Sequence, residues 1–233
     1  MRASAETPSL ATGMTQKLWT KVDEYFARMI AEDKALKAAR KDCKKAKLPP
    51  IGVAANQGKM LMLFAQMIGA RKILEVGTLG GYSTIWLARG LSAGGKLVTL
   101  EYEKKHADVA RKNVARAGLE SAVDVRVGDA KKTMPELVTN GAGPFDLIFL
   151  DADKEGYPIY FALALKLSRK GTVIIADNVV RDGEVLRPRS KDRSVPGVRK
   201  FNKAVSTEKR VSATAIQTVG SKGHDGFAMM LVG

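Results

Sequence analysis

Two short apolar runs, each tipped by acids, constrain this chain more than any other feature. The first reads Asp146-Leu-Ile-Phe-Leu-Asp151-Ala-Asp153-Lys154, and the second reads Thr172-Val-Ile-Ile-Ala-Asp177-Asn178. Unbroken apolar runs of strand length are the pattern of parallel strands buried on both faces, and functional groups gather where such strands end. Two neighbouring strands of this kind bring Asp151, Asp177 and Asn178 together. That is an all-oxygen cluster suited to a hard divalent cation. Lys154, three residues past the first acid, can serve as a base beside it.

The flanking sequence agrees with such a sheet. Strands are predicted at 72–76, 96–100, 122–127, 145–150 and 172–176, with helices at 82–89, 104–117, 131–138 and 157–167. This alternation predicts an α/β fold: a parallel sheet, helices on both faces, right-handed crossovers. Strand-like segments at 211–219 and 227–232 flank Asp225-Gly226, which reads as a hairpin turn. They place an antiparallel strand at one end of the sheet. Upstream, Leu18, Val22, Phe26, Met29 and Ile30 recur at helical spacing and predict a helix over 17–40. Pro49 and Pro50 end that region, and a second helix opens at Asn56 and stops at Gly69.

Length and composition set the limits. The chain has 233 residues, enough for one sizeable domain. Residues 1–16 are small and polar and are expected to form a flexible arm. Residues 17–233 are expected to form one domain, with a helical cap over 17–55 and a core over 56–233. No stretch has 18 uninterrupted apolar residues, so no membrane helix is expected. Cys43 is the single cysteine, which excludes an internal disulfide and suits a reducing compartment. A cytoplasmic location is expected, with the mitochondrial matrix as the alternative. The net charge is +15. Positive residues concentrate in 34–47 and 181–210, but without interleaved stacking aromatics. They read as solvated faces rather than a nucleic-acid site.

A second constellation surrounds a glycine-rich turn. Glu75-Val-Gly77-Thr-Leu-Gly80-Gly81-Tyr82-Ser83 reads as strand, turn and helix start, where backbone approaches a ligand closely and negative groups are favoured. Leu79 breaks the G-x-G-x-x-G dinucleotide pattern. Glu101 ends the next strand, where a carboxylate can accept hydrogen bonds from ribose hydroxyls. Glu75 lies inside an apolar strand and needs a partner, either a cationic ligand or the backbone amides of the turn. Gly128-Asp129-Ala130 ends the third strand, where a group contacting an adenine ring is expected. Asp129 also reads as an N-cap.

Taken together and in this order, these motifs resemble the cation-dependent O-methyltransferases, the caffeoyl-CoA and catechol enzymes among them. The likeness covers roughly 50–233. It implies a class I methyltransferase (Rossmann-like) fold, whose seven-stranded sheet is mostly parallel with an antiparallel C-terminal strand. It also implies S-adenosylmethionine as methyl donor and a divalent cation, Mg2+ first, with Mn2+ or Ca2+ as alternatives. The family's metal ligands fall on Asp151, Asp177 and Asn178, and its catalytic lysine on Lys154. Its cofactor contacts fall on Val53, Glu75, Gly77, Ser83, Glu101, Asp129, Ala130, Asp151 and Tyr160. The implied substrate is an aromatic diol of catechol, flavonoid or hydroxycinnamoyl type, and the implied assembly is a homodimer. The rival reading is a nucleic-acid or other non-catechol methyltransferase of the same fold. Against it, the loop after the fourth strand reads Asp-Ala-Asp-Lys, not the Asn/Asp-Pro-Pro-aromatic loop of base-amine methylation.

Overall fold

The computed structural model describes residues 9–233, with side chains from Thr15 onwards. Three helices lead: α1 (Ser9–Ala27), α2 (Lys34–Lys45) and α3 (Ala55–Met67). Strands and helices then alternate as β1 (Lys72–Val76), α4 (Tyr82–Arg89), β2 (Lys96–Glu101), α5 (Lys104–Arg116), β3 (Val123–Val127), α6 (Ala130–Thr139), β4 (Leu147–Leu150), α7 (Tyr157–Lys166), β5 (Val173–Asp177) and α8 (Val195–Thr207). The chain closes with β6 (Val211–Gly220) and β7 (Gly223–Val232).

Among the described residues the strands form one seven-stranded sheet, in the order β3-β2-β1-β4-β5-β7-β6. Strands β1 to β5 run parallel, and β7 inserts antiparallel between β5 and β6. The chain leaves β1 for β2 on one side and later returns to β4 on the other. That reversal opens a crevice at the carboxyl ends of β1 and β4, the usual ligand position in open α/β sheets.

The apolar runs are explained by burial on both faces. Leu74, Val76, Ile148, Leu150, Ile174 and Ala176 pack with α6, α7 and α8. The alternate residues Ile73, Leu147, Phe149 and Ile175 pack with α3 and α4 on the other face. Full burial of a side chain such as Phe149 contributes about 1.5–3 kcal/mol. Neither face is left for polar residues, so no alternation appears in the sequence.

Three expectations are corrected. The helix expected over 17–40 is two helices, broken at 28–33, and Asp33 caps α2 by accepting from the Leu36 amide at 3.0 Å. The apolar spacing runs on through the break, which itself holds Met29 and Ile30, and so hides the Asp33 N-cap. The arm expected over 1–16 is already helical from Ser9, since one glycine such as Gly13 costs a helix only about 1 kcal/mol; residues 1–8 lie outside the described residues. The hairpin turn is Ser221-Lys222, between Gly220 and Gly223, not Asp225-Gly226. Gly223 supplies the positive φ (+93°) there. Asp225 and Gly226 sit within β7 for a different reason: a Cβ on Gly226 would lie 2.3 Å from the Ile216 carbonyl.

Candidate active site

The carboxyl ends of β1, β2, β4 and β5 open into a cleft of about 1140 Å³. That volume accommodates two ligands side by side. At the end of β1, Gly77 adopts φ +100°, and a Cβ there would stand 2.1 Å from the Asp151 carbonyl oxygen. Glycine is therefore required for the β1 turn to pass against the end of β4. The same close approach sets the turn beside Asp151.

Glu101 is held by the turn itself. Its Oε2 accepts the amides of Thr78 (3.1 Å) and Leu79 (2.7 Å), and its Oε1 accepts that of Glu103 (2.9 Å). His106 Nδ1 lies 3.4 Å from Oε1. The carboxylate is thus fixed at the cleft wall with acceptor capacity remaining. Asp129 Oδ1 accepts from the Lys131 amide at 2.9 Å, so it caps α6 while lining the cleft with Ala130. Val53, Gly77, Ser83 and Tyr160 line the same cleft. Tyr160 donates to Asp153, which also pairs with Lys131 at 3.1 Å, so Asp153 is occupied away from Asp151.

Glu75 does not face the cleft. It is fully buried, and its partners are three hydroxyls, correcting the expectation of a cationic ligand or backbone amides. Ser83 donates to Oε1 at 2.6 Å, Thr99 donates to Oε2 at 2.7 Å, and Thr84 donates to Oε2 as well. Burial pushes its carboxyl up to about 7; the three hydroxyls pull the other way, and Asp151 adds to the rise. Glu75 therefore reaches the cleft through Ser83, whose side chain it orients.

The oxygen cluster is assembled from β4, β5 and the residue after β5. Lys154, buried in the short 3-10 turn ahead of α7, donates from Nζ to Asp151 Oδ1 at 2.8 Å. Asp177 lies behind the cleft surface, buried. Its Oδ1 accepts the Asn178 amide at 2.8 Å and its Oδ2 accepts Gln57 Nε2 at 2.6 Å. Burial, and then the negative charge of Asp151, push its carboxyl up to about 7, against the pull of Lys154. Asn178 adopts φ +55° and lines the cleft, and its side-chain amide has no protein hydrogen-bond partner among the described residues. Tyr157 ties the two strand ends together by donating to the carbonyls of Leu150 (2.8 Å) and Asp177 (2.7 Å).

These residues fit a hard cation by the chemistry of their donors. Two carboxylates close enough to repel, and an asparagine left unpaired by the fold, form an oxygen set with surplus negative charge. Among the described residues, no group of three or more His, Cys, Asp or Glu side chains is arranged to hold a metal. The set therefore depends on asparagine as its third donor. Sequence reading passed over Gln57, Arg181 and Lys222. Gln57 lies in the first turn of α3, where nothing local marks it as a partner of Asp177. Arg181 and Lys222 also line the cleft; Arg181 reads in sequence as one of the solvated basic residues of 181–210, and Lys222 as part of the link between the last two strands.

Known proteins agree with this geometry. The model of the O-methyltransferase family matches residues 27–229. A catechol O-methyltransferase of Niastella koreensis is 51% identical over 94% of this chain and 100% of its own. One from Mycobacterium tuberculosis is 50% identical over 91% and 94%. A Bacillus cereus O-methyltransferase solved in complex with SAH superposes with a TM-score of 0.92 at 53% identity, covering 94% of this chain and 100% of that one. An O-methyltransferase of Streptomyces achromogenes, solved in complex with SAM, gives a TM-score of 0.90 at 47% identity over 93% and 98%. The strand order, the cleft at the sheet's switch point and these likenesses converge: the chain belongs to the O-methyltransferase family.

Proposed function

We propose that this O-methyltransferase takes its methyl group from S-adenosylmethionine and, with a divalent cation, transfers it to one hydroxyl of a vicinal-dihydroxy aromatic. The carrying observation is that Asp151, Lys154 and Asn178 face the same cleft as Glu101 and the Gly77 turn. Donor and acceptor would therefore meet at the end of β4. Glu101 would accept the ribose hydroxyls, and Asp129 and Ala130 would border the adenine. Ser83, oriented by Glu75, would face the methionine portion, with Val53 and Tyr160 completing the walls.

Asp151, Asp177 and Asn178 would hold the cation. When bound, it favours ionisation of a phenolic hydroxyl whose ordinary pKa is ~10. Mg2+ suits three hard oxygen donors completed by water and substrate. The Nζ of Lys154 would take up the phenolic proton. The acceptor oxygen then forms a bond to the methyl carbon as the carbon–sulfur bond breaks, leaving the thioether product. Holding the two reactants in line contributes up to roughly 7–11 kcal/mol to such a transfer.

A homodimer and a cytoplasmic location belong to the same proposal. α1 leaves Leu18 and Phe26 exposed, Met29 is exposed in the break that follows it, and α3 leaves Met67 exposed. An apolar face of this kind marks an interaction surface. No described helix is long and apolar enough to cross a membrane. The test of the catalytic reading is a turnover assay on catechols with S-adenosylmethionine, with and without EDTA. Asp151→Ala should lose at least about 100-fold in kcat while still binding S-adenosylmethionine, since it removes the group on which Lys154 and the cation converge. Normal turnover in EDTA, or by this variant, sinks the cation role.

A further inference from the structure

One rim of the cleft is cationic, formed by α2, the 49–52 strip and the β6–β7 turn. Arg40, Lys44 and Lys222 line it. Arg40 is already engaged, with Nε 3.1 Å from Glu32 and its guanidinium 3.9 Å over the Tyr82 ring. Lys131 pairs with Asp153, Lys154 with Asp151, and Arg181 with Asp192 at 2.9 Å, while Lys44 is exposed and no described group holds its ammonium in place. Lys222 differs. Among the described residues no carboxylate lies within ion-pair distance of it, and its Nζ donates only to the Pro50 carbonyl, at 2.7 Å. An ammonium carries three donors, so two remain.

Its position identifies the end of the cleft it serves. Partial burial, followed by the Arg40 charge, lowers the pKa of the Lys222 ammonium, while Asp151 acts in the opposite direction. Asp177 stands opposite Phe227 and the Asp182 amide donates to the His224 carbonyl, so the β6–β7 turn that carries Lys222 lies on the β5 side of the cleft, the acceptor end, across the sheet from the ribose end marked by Glu101 and Asp129. A cation held by backbone, repelled by a neighbouring cation and lacking an anion fits a ligand that brings one.

Resting on the proposed catechol-type function, we infer that the natural acceptor is an anionic diol, an aromatic ring carrying a carboxylate that pairs with Lys222 at the cationic rim. The carboxylate of the methyl donor is the other anion that could occupy this place, and the experiment separates the two.

The full chain, with S-adenosylmethionine and Mg2+, is assayed on 3,4-dihydroxybenzoate and on its neutral methyl ester. The acid-to-ester ratio of kcat/KM cancels differences in ring electronics within each variant. An exposed charge-assisted pair predicts that Lys222→Gln lowers this ratio about fivefold, through the KM of the acid, and that Lys222→Glu lowers it further. Lys222→Arg should restore it. An unchanged ratio in Lys222→Gln overturns the inference while ester turnover leaves the methyltransferase reading standing. A loss that appears in the KM for S-adenosylmethionine instead overturns it in favour of the donor carboxylate. Failure of the wild type on both compounds, with and without added Mg2+, overturns both.

Discussion

Glu75 makes the stability of this protein fall with rising pH, and the size of the effect comes from its surroundings. Its carboxyl is fully buried among Ser83, Thr84 and Thr99, and its pKa rises from the ordinary 4.5 to about 7. A raised acid pKa means that the folded state binds the proton more tightly than the unfolded chain. The stabilisation is therefore complete below pH 4.5 and is lost as pH climbs through about 7. The difference corresponds to roughly 3 kcal/mol, a large part of the stability of an ordinary domain. Glu75→Gln keeps the shape, retains a carbonyl acceptor and cannot ionise. Urea unfolding of wild type and variant, at pH 5, 6, 7 and 8 with chelator present, isolates the effect, because all other groups cancel in the difference. Wild-type stability relative to the variant should decline most steeply near pH ~6, midway between the unfolded and folded values, and level off above about 7. A flat or rising difference would refute the assignment of Glu75 as a buried, hydroxyl-bound acid. Asp177, also raised to about 7, contributes a slope of the same sign to both proteins and so drops out of the comparison.

Two further outcomes are expected. Glu101→Gln weakens the acceptor of the Thr78, Leu79 and Glu103 amides and of the donor's ribose, so S-adenosylmethionine should bind about tenfold more weakly by calorimetry; an unaltered Kd would place the ribose elsewhere. Gly77→Ala forces a Cβ to 2.1 Å from the Asp151 carbonyl at φ +100°, so it should lower unfolding stability by about 2–4 kcal/mol and displace the end of β4; urea midpoints equal to wild type would contradict the close approach.

Much of the fold was legible because local pattern and tertiary environment coincide from β1 onwards. β1 and α4 occur at their expected bounds, since a strand covered on both faces must be apolar throughout and the glycine turn separates it sharply from the helix. The N-terminal third read less well. There the break at 28–33 depends on a single aspartate cap, and Glu32 gains a role only when Tyr82 and Arg40 from distant or neighbouring segments reach it. The hairpin turn was misplaced because Asp225-Gly226 satisfies turn chemistry. Its glycine in fact answers to packing against Ile216, and its aspartate accepts the amides of Val180 (3.1 Å) and Arg181 (3.0 Å) after β5.

The candidate site divides along the same line. Asp151, Lys154, Glu101 and Asn178 stand at strand ends, where chain order alone places them at one edge of the sheet. That Glu75 turns inward to hold Ser83, that Gln57 bonds Asp177, and that Lys222 reaches the acceptor end beside Arg40 depend on contacts across 8 to 120 residues of chain or on the folding-back of the final hairpin. From β1 to β5, sequence alone determined which elements form and which residues end them, because periodicity and strand-end chemistry are local. Only the tertiary structure decided which buried charge is met by hydroxyls and which surface cation is left unpaired, because both depend on groups brought together from distant parts of the chain.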